Sequence, residues 1–393
     1  MSQHLMTTYG RQPVTFVRGE GVWLWDDQGR KYLDGLSGVA VNGLGHGHPA
    51  LVQAISAQAA RLIHVSNIYN IAEQSALADR LCAVSGMDRV FFCNSGCEAN
   101  EAAIKLARLY GHNKGVENPA IIVMDKAFHG RTMATLSATG SRKVQAGFEP
   151  LVSGFVRVPF DDLEAVRQVA QHNPNVVAML VEPVQGEGGI NIPHDGAAFL
   201  RGLREICDKQ GWLLMLDEVQ SGIGRTGTWF AFQHTGILPD VMSLAKGLGS
   251  GVPIGACVAR GAAAEVFTPG KHGSTFGGNP LACAAGLATL QSIEQEKLRE
   301  NASNIGDRIA AGLRQGLSGV HGFVTVRNAG LMIGVELDRP CGELVKLALE
   351  AGLLINVTND KVIRLLPPLV MNAAEADQLV ATLLPLVKRF LGA

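Results

Sequence analysis

The sequence predicts an α/β protein: a large domain built on a mainly parallel sheet with helices on both faces, joined to a smaller α+β domain. Between residues 120 and 260, short apolar runs alternate with segments of helical spacing, which is the pattern of a parallel sheet. Residues 320–393 change to short strands and one closing helix. The chain of 393 residues is long enough for two domains, and its 47% hydrophobic and 18% charged residues are typical of a globular protein.

The N-terminal third predicts a small meander followed by helices. The segments concerned are residues 18–35 (two strand-like runs around a turn), 50–62 and 73–83 (helices), and 90–93 (a strand). In the helix that follows, Ala99, Ala103, Leu106 and Tyr110 recur at the spacing of a packed apolar face. We expect Gly111 to end this helix, since glycine is common just past a helix terminus.

The remaining elements follow from short apolar runs and longer amphipathic ones. Strands are predicted at residues 120–124, 155–159, 176–181, 213–216, 241–245 and 254–260, with intervening helices at 161–172 and 196–210. A glycine-rich loop (268–279) then leads into one long helix from residue 280 to about 301. The small lobe contains strands in the runs VTVRN, GLMIGVEL, LLINV and VIRLLP, and a helix at 373–390.

Charge and composition argue against several classes of function. The formal net charge is −1, from 34 basic and 35 acidic side chains, so nothing favours nucleic acid or an anionic membrane as a partner. The first ten residues lack the charged flank and apolar core of a signal peptide, and no apolar run reaches the length of a membrane span. Seven scattered cysteines do not make a disulfide framework, and no metal site is predicted. We therefore expect a cytoplasmic protein.

Two predicted strands end on chemically useful side chains. Asp217 follows the apolar run 212–216, and Lys246 follows 241–245 and precedes a glycine-rich turn. Open α/β sheets bind ligands at the carboxyl ends of their strands. A lysine among small residues has room for a flat cofactor, and a pyridinium ring joined to it by a Schiff base would also give Asp217 a cationic partner. For these two residues alone, a structural Asp217–Lys246 ion pair explains the pattern equally well.

Five further motifs carry candidate site residues, and each also has a structural explanation. Ser95 and Gly96 lie where a strand turns into a helix, a position that binds phosphate, but Ser95 and Glu98 also fit a capping box. The other candidates are Phe128 (ring stacking or core), Arg131 (carboxylate binding or surface), Glu187 (site or solvated loop), Ser274 and Thr275 (phosphate contact or loop), and Arg364 (anion partner in an apolar strand).

The run GIGRTG (222–227) fits the glycine pattern of a dinucleotide site and follows a strand. The residues after it carry turn signals instead of an amphipathic helix, and Asp240 begins the next strand, whereas a ribose-binding acid should end one. A nicotinamide-dependent dehydrogenase is therefore a weak alternative.

Together these motifs resemble those of the class III, or ornithine-type, aminotransferases that depend on pyridoxal phosphate. The similar segments, in the family's order, are RGEGVWLWDDQGRKYLDG, GHGHP, NSGCEANEAAIKLAR, FHGRT, VEPVQGEGG, LDEVQSGIGRTG, AKGLGSGVPIGA, HGSTFGGNPLA and IRLLPPL. The resemblance covers nearly the whole chain. It implies the fold type I architecture, with a seven-stranded sheet in the large domain, and an active site shared across a homodimer interface.

The resemblance also implies roles for individual residues. Lys246 would carry the cofactor and move the proton, Asp217 would pair with the pyridine nitrogen, and Gln220 would face the ring hydroxyl. The remaining assignments are Phe128 (stacking on the ring), Gly96 and Cys97 (phosphate), Ser95, Glu218 and Val219 (cofactor site), Thr275 (phosphate of the other subunit's cofactor), Ser274 and Arg131 (substrate), and Glu187 (masking Arg364 in one half-reaction). Cys97 stands where the family more often has Thr or Ala, which removes a hydroxyl contact to the phosphate and leaves the amide.

The activity implied by the resemblance is transfer of the δ-amino group of N2-acetylornithine to 2-oxoglutarate. Succinylornithine, ornithine, 4-aminobutyrate or succinyl-diaminopimelate are alternative donors within the family. An aminomutase, or a cofactor-binding relative recruited for regulation, remains a further alternative. The implied domains are residues 46–290 (large, cofactor-binding) and 291–393 (small), with residues 1–45 forming part of the small domain.

Overall fold

The computed structural model describes residues 4–393, so the predicted absence of a signal peptide rests in part on residues that lie outside the described chain. The strands are β1 (Phe16–Glu20), β2 (Trp23–Asp26), β3 (Lys31–Asp34), β4 (Arg89–Cys93), β5 (Ala120–Met124), β6 (Phe155–Val158), β7 (Val176–Val181), β8 (Leu213–Asp217), β9 (Val241–Leu244), β10 (Gly255–Ala259), β11 (Phe323–Ala329), β12 (Met332–Leu337), β13 (Leu353–Leu354), β14 (Asn356–Thr358) and β15 (Val362–Leu365). The helices are α1 (Ser37–Ala40, a single turn), α2 (Pro49–Arg61), α3 (Ala72–Ser85), α4 (Gly96–Asn113), α5 (Met133–Ala138), α6 (Arg142–Gln145), α7 (Leu163–His172), α8 (Gly196–Gln210), α9 (Pro280–Gln295), α10 (Leu298–Leu317), α11 (Leu344–Glu350) and α12 (Ala373–Leu391). Along residues 4–393, no helix combines the length and apolar character that crossing a membrane requires.

The large sheet has seven strands in the order β4-β10-β9-β8-β7-β5-β6. Strands β6, β5, β7, β8 and β9 pair in parallel, whereas β10 runs antiparallel to both of its neighbours. The predicted α/β fold with a mainly parallel seven-stranded sheet is therefore confirmed. All residues of β5, β7, β8, β9 and β10 are buried, as expected for a sheet covered by helices on both faces.

The register of β8 and β9 explains why two distant side chains reach the same edge. Asp217, the last residue of β8, pairs with Ser243 of β9, and Lys246 follows the end of β9 by two residues. Because the two strands are parallel, both side chains emerge at the carboxyl edge of the sheet, where open α/β sheets bind ligands.

A second, antiparallel sheet lies in the C-terminal part, with the order β11-β12-β15-β14. The N-terminal meander β1-β2-β3 extends onto the same part of the chain, because β3 pairs in parallel with β13 through Leu33 and Leu353. This pairing joins the two ends of the chain. The domain boundaries at residues 45 and 290 stay a prediction.

The predicted single helix from residue 280 to about 301 is wrong. Helix α9 ends at Gln295 and α10 begins at Leu298, with a turn at Glu296 and Lys297. Lys297 has a left-handed backbone (φ 53°) that no α-helix can contain. Neither glycine nor proline marks this break in the sequence, so the usual stop signals could not reveal it.

The prediction that Gly111 ends its helix is also wrong, because α4 continues to Asn113. The glycine serves packing instead. A Cβ atom at position 111 would lie 2.7 Å from Val177 Cγ1 and 2.9 Å from Pro119 Cβ, distances that real side chains do not reach. Helix α4 can therefore approach β7 closely only where it has no side chain.

We expect Gly111→Ala to destabilise the protein by about 1–3 kcal/mol through overpacking, although alanine normally stabilises a helix relative to glycine by roughly 1 kcal/mol. The rigid ring of Pro119 cannot move aside as a flexible side chain would. The thermal unfolding midpoint measures the effect. Gly196→Ala is the matched control, because Gly196 begins helix α8 and a Cβ atom there meets nothing within 4 Å. Equal midpoints for the two variants would contradict the packing explanation.

Candidate functional site

A cavity of about 420 Å³ opens at the carboxyl edge of the large sheet. Its size lies in the usual range of small-molecule sites. The structure brings ten of the predicted site residues together in its lining, namely Ser95, Gly96, Cys97, Phe128, Arg131, Glu187, Asp217, Val219, Gln220 and Lys246. These residues come from five separate segments of the chain, so the fold, and not the sequence alone, assembles them.

Lys246 opens a short 3-10 turn directly after β9 and adopts a left-handed backbone (φ 42°). Lys246 is partly buried, and this burial lowers its pKa below the ordinary value, with a further decrease from the nearby Arg364 guanidinium. The carboxylates of Glu187, Asp217 and Glu182 oppose this decrease. A lowered pKa increases the neutral, nucleophilic fraction of an amine, which suits a lysine that attacks a carbonyl carbon.

Asp217 is buried and all of its hydrogen bonds are made to N–H donors. Its Oδ2 atom accepts from Asn100 Nδ2 (2.7 Å) and contacts His129 Nδ1 (2.8 Å), and its Oδ1 atom accepts from the Val219 backbone N–H (3.0 Å). Donors on both oxygens suit the charged form of a carboxylate. The basic residue in contact with Asp217 is His129, so the alternative of a structural Asp217–Lys246 ion pair is not what the structure contains.

His129 and Asn100 are site residues that the sequence reasoning missed. Both are buried in the cavity wall, and Asn100 also donates to the His129 carbonyl oxygen (2.8 Å), which ties the two residues to each other. A signal for each was present: His129 follows Phe128 directly, and Asn100 lies one helical turn after Gly96, on the same face of α4.

The N-terminus of α4 faces the same cavity. The Ser95 hydroxyl accepts from the Glu98 N–H (3.2 Å), as the capping interpretation predicts. The Glu98 carboxylate, however, bonds to the backbone and side chain of Asn94 and not to Ser95, so only half of the capping box forms. The amides of Gly96 and Cys97 belong to the first helical turn, where backbone donors lack intrahelical partners. A cap and an anion site therefore coexist at this terminus.

The Cys97 thiol is directed at the loop that carries Arg131. Its sulfur accepts from the N–H groups of Arg131 and Thr132 (3.4 Å each) and lies 3.2 Å from Thr135 Oγ1. Cysteine at this position thus bonds to protein groups, and only its amide remains available for an anion at the helix terminus.

Glu187 and Arg364 form an ion pair at the cavity wall. Arg364 Nη1 donates to Glu187 Oε1 (2.6 Å) and lies 3.4 Å from Gln220 Oε1, while Arg364 Nε donates to Asn356 Oδ1 (3.1 Å). The Arg364 side chain is 1% exposed and that of Glu187 is 37% exposed. A buried cation paired with a partly solvated anion can exchange that anion for a substrate carboxylate, because only Glu187 has solvent to move into.

Glu182 is a third residue that the sequence reasoning did not assign. Its carboxylate accepts from the N–H groups of Phe128 (2.9 Å) and Gly186 (3.2 Å), and it therefore joins the Phe128 segment to the loop of Glu187. Burial raises the pKa of Glu182 to about 7. In the same cavity lining, the Arg131 guanidinium lies 5.6 Å from the centre of the Phe128 ring and is exposed to solvent.

Four predicted site residues lie outside this cavity lining. The buried Glu218 carboxylate accepts from Ser221 Oγ (2.6 Å) and from the N–H groups of Ala231 and Phe232, and a cofactor contact of Glu218 stays a prediction. Ser274 and Thr275 line a separate cavity of about 370 Å³. Arg364 reaches the main cavity only through its bonds to Glu187 and Gln220.

The GIGRTG run forms turns that connect the two parts of the chain. Arg225 is buried and donates to the carbonyl oxygens of Leu331 and Pro367. Residues 222–227 are followed by further turns and the short 3-10 helix Ala231–His234, and a dinucleotide site requires an α-helix at this point. The glycine pattern at residues 222–227 therefore does not form a dinucleotide site, and the alternative of a nicotinamide-dependent dehydrogenase has no support there.

The model of the family described as Aminotransferase class-III matches residues 6–386 of this chain. The chain belongs to the class-III aminotransferases. Among its relatives, the acetylornithine aminotransferase of Nitrosomonas europaea is 62% identical over 99% of this chain and 98% of that protein. Acetylornithine aminotransferase 1 of Bordetella bronchiseptica is 60% identical over 100% of this chain and 99% of that protein.

Solved structures of other class-III aminotransferases have the same fold. The ornithine aminotransferase of Toxoplasma gondii matches with a TM-score of 0.94 and 34% identity, over 98% of this chain and 92% of that chain. The acetylornithine aminotransferase of Elizabethkingia anophelis matches with a TM-score of 0.87 and 35% identity, over 98% and 97%. As a class-III aminotransferase, the protein transfers an amino group from an amino donor to a keto acid, with pyridoxal phosphate as its cofactor.

The residues of the cavity fit this cofactor. A partly buried amine with a lowered pKa stands at one side, a buried carboxylate that only accepts hydrogen bonds at another, and a helix N-terminus at a third. These groups match an aldehyde, a protonated ring nitrogen and a phosphate, respectively. Lys246, Asp217 and the Gly96–Cys97 amides would therefore hold the cofactor.

Proposed function

We propose that the protein transfers the δ-amino group of N2-acetylornithine to 2-oxoglutarate, giving N-acetylglutamate 5-semialdehyde and glutamate. The observation that carries this proposal is the Glu187–Arg364 ion pair. A pair that can close and open would let one cavity accept a substrate without a carboxylate on the reacting carbon and a substrate with one. The relatives from Nitrosomonas and Bordetella, which are named for acetylornithine, support the same donor. The reaction would serve arginine biosynthesis, and we expect it in the cytoplasm.

The two half-reactions need different charges in the cavity. The reacting δ-carbon of acetylornithine carries no carboxylate, whereas the reacting carbon of 2-oxoglutarate carries one. With Arg364 paired to Glu187, the charge of Arg364 is neutralised, which suits acetylornithine. With Glu187 turned away, Arg364 can bind the carboxylate of 2-oxoglutarate through its planar guanidinium group.

The protein's own groups then have defined tasks. When bound, pyridoxal phosphate supplies an electron-withdrawing ring that accepts negative charge from the carbon carrying the amino group. Asp217 would accept a hydrogen bond from the ring nitrogen and keep its proton in place. Lys246 would hold the cofactor between reactions and carry a proton to and from the reacting carbon. Phe128 would limit the movement of the ring from one face, and Gln220 would face the ring hydroxyl.

Arg131 is proposed to bind the other carboxylate of the substrate. Its guanidinium is exposed at the cavity rim beside Phe128, where an incoming carboxylate would meet it first. We also propose a homodimer with shared active sites. In that assembly Thr275 would reach the phosphate of the other subunit's cofactor, and Ser274 would lie near the substrate. Their position in a second cavity, next to Asn94 and Glu98, supports this proposal.

A donor panel tests the proposed function. The purified protein is mixed with 2-oxoglutarate and, in separate reactions, acetylornithine, succinylornithine, ornithine, 4-aminobutyrate and succinyl-diaminopimelate, and glutamate formation is measured. We expect the highest kcat/KM for acetylornithine. A higher kcat/KM for ornithine or 4-aminobutyrate would replace the proposed donor within the same family.

Glu187→Ala is expected to shift donor preference toward glutamate by roughly tenfold to a hundredfold, the contribution of one charged hydrogen bond. Removal of the glutamate leaves Arg364 free in both half-reactions, and the free cation attracts an α-carboxylate beside the reacting carbon. Single-turnover rates with glutamate and with acetylornithine give the ratio directly. Arg364→Ala should impair mainly the 2-oxoglutarate half-reaction.

Asp377→Ala is the control for this pair. Asp377 also forms an ion pair with an arginine (Arg308, 2.6 Å), but that pair is exposed and lies outside the cavity lining. It should leave the donor ratio unchanged. An unchanged ratio in Glu187→Ala as well would mean that Glu187 is an ordinary loop charge.

A further inference from the structure

The loop that carries Glu187 is attached to the small antiparallel sheet by an arginine. Arg327, on β11, donates from Nε to the carbonyl oxygens of Ile190 (2.7 Å) and Gly189 (3.1 Å), and from Nη2 to that of Gly189 (2.5 Å). A guanidinium group has its donors in a rigid fork, so contacts with two successive carbonyls fix the direction of the backbone as well as its position.

The Arg327 side chain is itself held in place. Its Nη1 atom pairs with Glu336 of the neighbouring strand β12 (2.5 Å), and the group is only 21% exposed. One edge of the guanidinium group is thus bound to the small sheet and the other edge to the loop. The loop is therefore attached to the same sheet that carries Arg364 on β15.

The backbone of the loop is fixed at three further places. Thr358 Oγ1 donates to the carbonyl oxygen of Glu187 itself, and Glu182 accepts from the Gly186 N–H (3.2 Å). At the base of the loop, Gln185 and Asn191 exchange two backbone hydrogen bonds of 3.0 Å each. Only the Glu187 side chain, 37% exposed, has room to move.

Ile190 shows how tightly the loop is held. Its backbone lies in the left-handed region (φ 54°), which a β-branched side chain rarely adopts, and its side chain is fully buried beside Val184, Met332 and Leu366. Such a conformation persists only where surrounding contacts determine it. The Arg327 bond to the Ile190 carbonyl is one of those contacts.

We infer that Arg327 is a positioning residue that determines donor specificity: it holds the backbone of residues 186–190 in place, so that the Glu187–Arg364 pair opens by rotation of the Glu187 side chain and not by movement of the loop. The inference rests on the proposed function, because it concerns the pair that selects the donor. Arg327 itself does not line the cavity and acts through Glu187.

The test uses the full-length protein with its cofactor bound. Arg327→Ala should shift the single-turnover ratio of glutamate to acetylornithine upward by about tenfold, as loss of a charge-assisted hydrogen bond predicts. Arg327→Lys keeps the positive charge but loses the planar fork of donors. Its ratio of glutamate to acetylornithine should lie between those of Arg327→Ala and the wild type. In the double variant Arg327→Ala/Glu187→Ala, the ratio should equal that of Glu187→Ala alone, because Arg327 acts only through Glu187.

Hydrogen exchange of the peptide containing residues 186–190 provides a readout that needs no substrate. We expect faster exchange in Arg327→Ala and no change in Arg314→Ala. Arg314 is the matched control, because it donates to the Val326 carbonyl on the same strand without touching the loop. A merely structural role for Arg327 would lower stability and both half-reactions together, with an unchanged ratio.

Either of two results of the donor assay would overturn the inference: a donor ratio in Arg327→Ala equal to that of the wild type, or additive effects of the Arg327 and Glu187 substitutions. Failure of the proposed function would look different, since the wild-type protein would then show no preference for acetylornithine while the exchange experiment could still succeed. If hydrogen exchange at residues 186–190 were unchanged in Arg327→Ala, the positioning role of Arg327 would be refuted, whichever amino donor the enzyme prefers.

Discussion

Lys246→Ala is expected to reduce turnover by about a hundredfold to ten-thousandfold, the contribution of a positioned general base, and to abolish covalent attachment of the cofactor. The lysine stands at the end of β9 in the cavity, and burial lowers the pKa of its amine. The amine can therefore both attack an aldehyde and take up a proton. Alanine leaves the cavity walls intact but provides neither function.

Borohydride reduction followed by peptide mapping measures the covalent part of this prediction. One pyridoxal phosphate per chain should be fixed on the peptide that contains Lys246, and none in the Lys246→Ala variant. Lys126→Ala serves as the control. Lys126 also follows a strand of the large sheet, β5, but it is exposed and lies outside the cavity lining. Labelling that moves to Lys126, or that survives in Lys246→Ala, would refute the assignment.

Residues at strand ends could be predicted from the sequence because the signal is local. An apolar run that ends on a charged residue marks both Asp217 and Lys246, and glycines follow Lys246 directly. The same logic did not reveal His129 or Asn100, whose importance depends on their contact with Asp217 across 88 and 117 positions of the chain. Only the fold brings those three residues together.

The attachment of the Glu187 loop by Arg327 could not be predicted from any sequence pattern. Arg327 contacts Gly189 across 138 positions, and its own strand reads as an ordinary edge of the small sheet. Glu218 shows that neighbouring residues of one motif can have different partners. It stands beside Asp217 in the motif, yet successive side chains at a strand end point in different directions, and its carboxylate bonds to the turn at residues 231–232. Adjacency in a motif therefore does not imply a shared site.

The fold itself was more predictable than its helix boundaries. Fully buried strands such as β7 (Val176–Val181) and β8 (Leu213–Asp217) have apolar runs that only a covered sheet explains. The break between α9 and α10 carries no glycine or proline signal, and the continuation of α4 through Gly111 accompanies a tertiary contact. At Gly111 the deciding contact is with Pro119 and Val177, and helix propensity cannot report it.

Asp217→Asn is expected to slow turnover by about a hundredfold to a thousandfold, the cost of removing one oriented electrostatic group from an active site. The substitution keeps the shape of the side chain but removes the negative charge that would hold the proton on the ring nitrogen. It also turns one acceptor into a donor. Because Asn100, His129 and Val219 all direct N–H groups at this side chain, the new amide must face at least one of them without a hydrogen bond.

Glu218→Gln is the matched control for Asp217→Asn, because it makes the same chemical change one residue later in another buried carboxylate. Glu218 accepts from Ser221, Ala231 and Phe232 and does not line the cavity. We expect both variants to lose thermal stability, since each leaves a buried donor unpaired, and only Asp217→Asn to lose turnover out of proportion. Single-turnover rates for both half-reactions, measured beside thermal midpoints, separate the two effects. If Asp217→Asn kept near-wild-type rates, or if Glu218→Gln lost as much, Asp217 would not be the partner of the ring nitrogen.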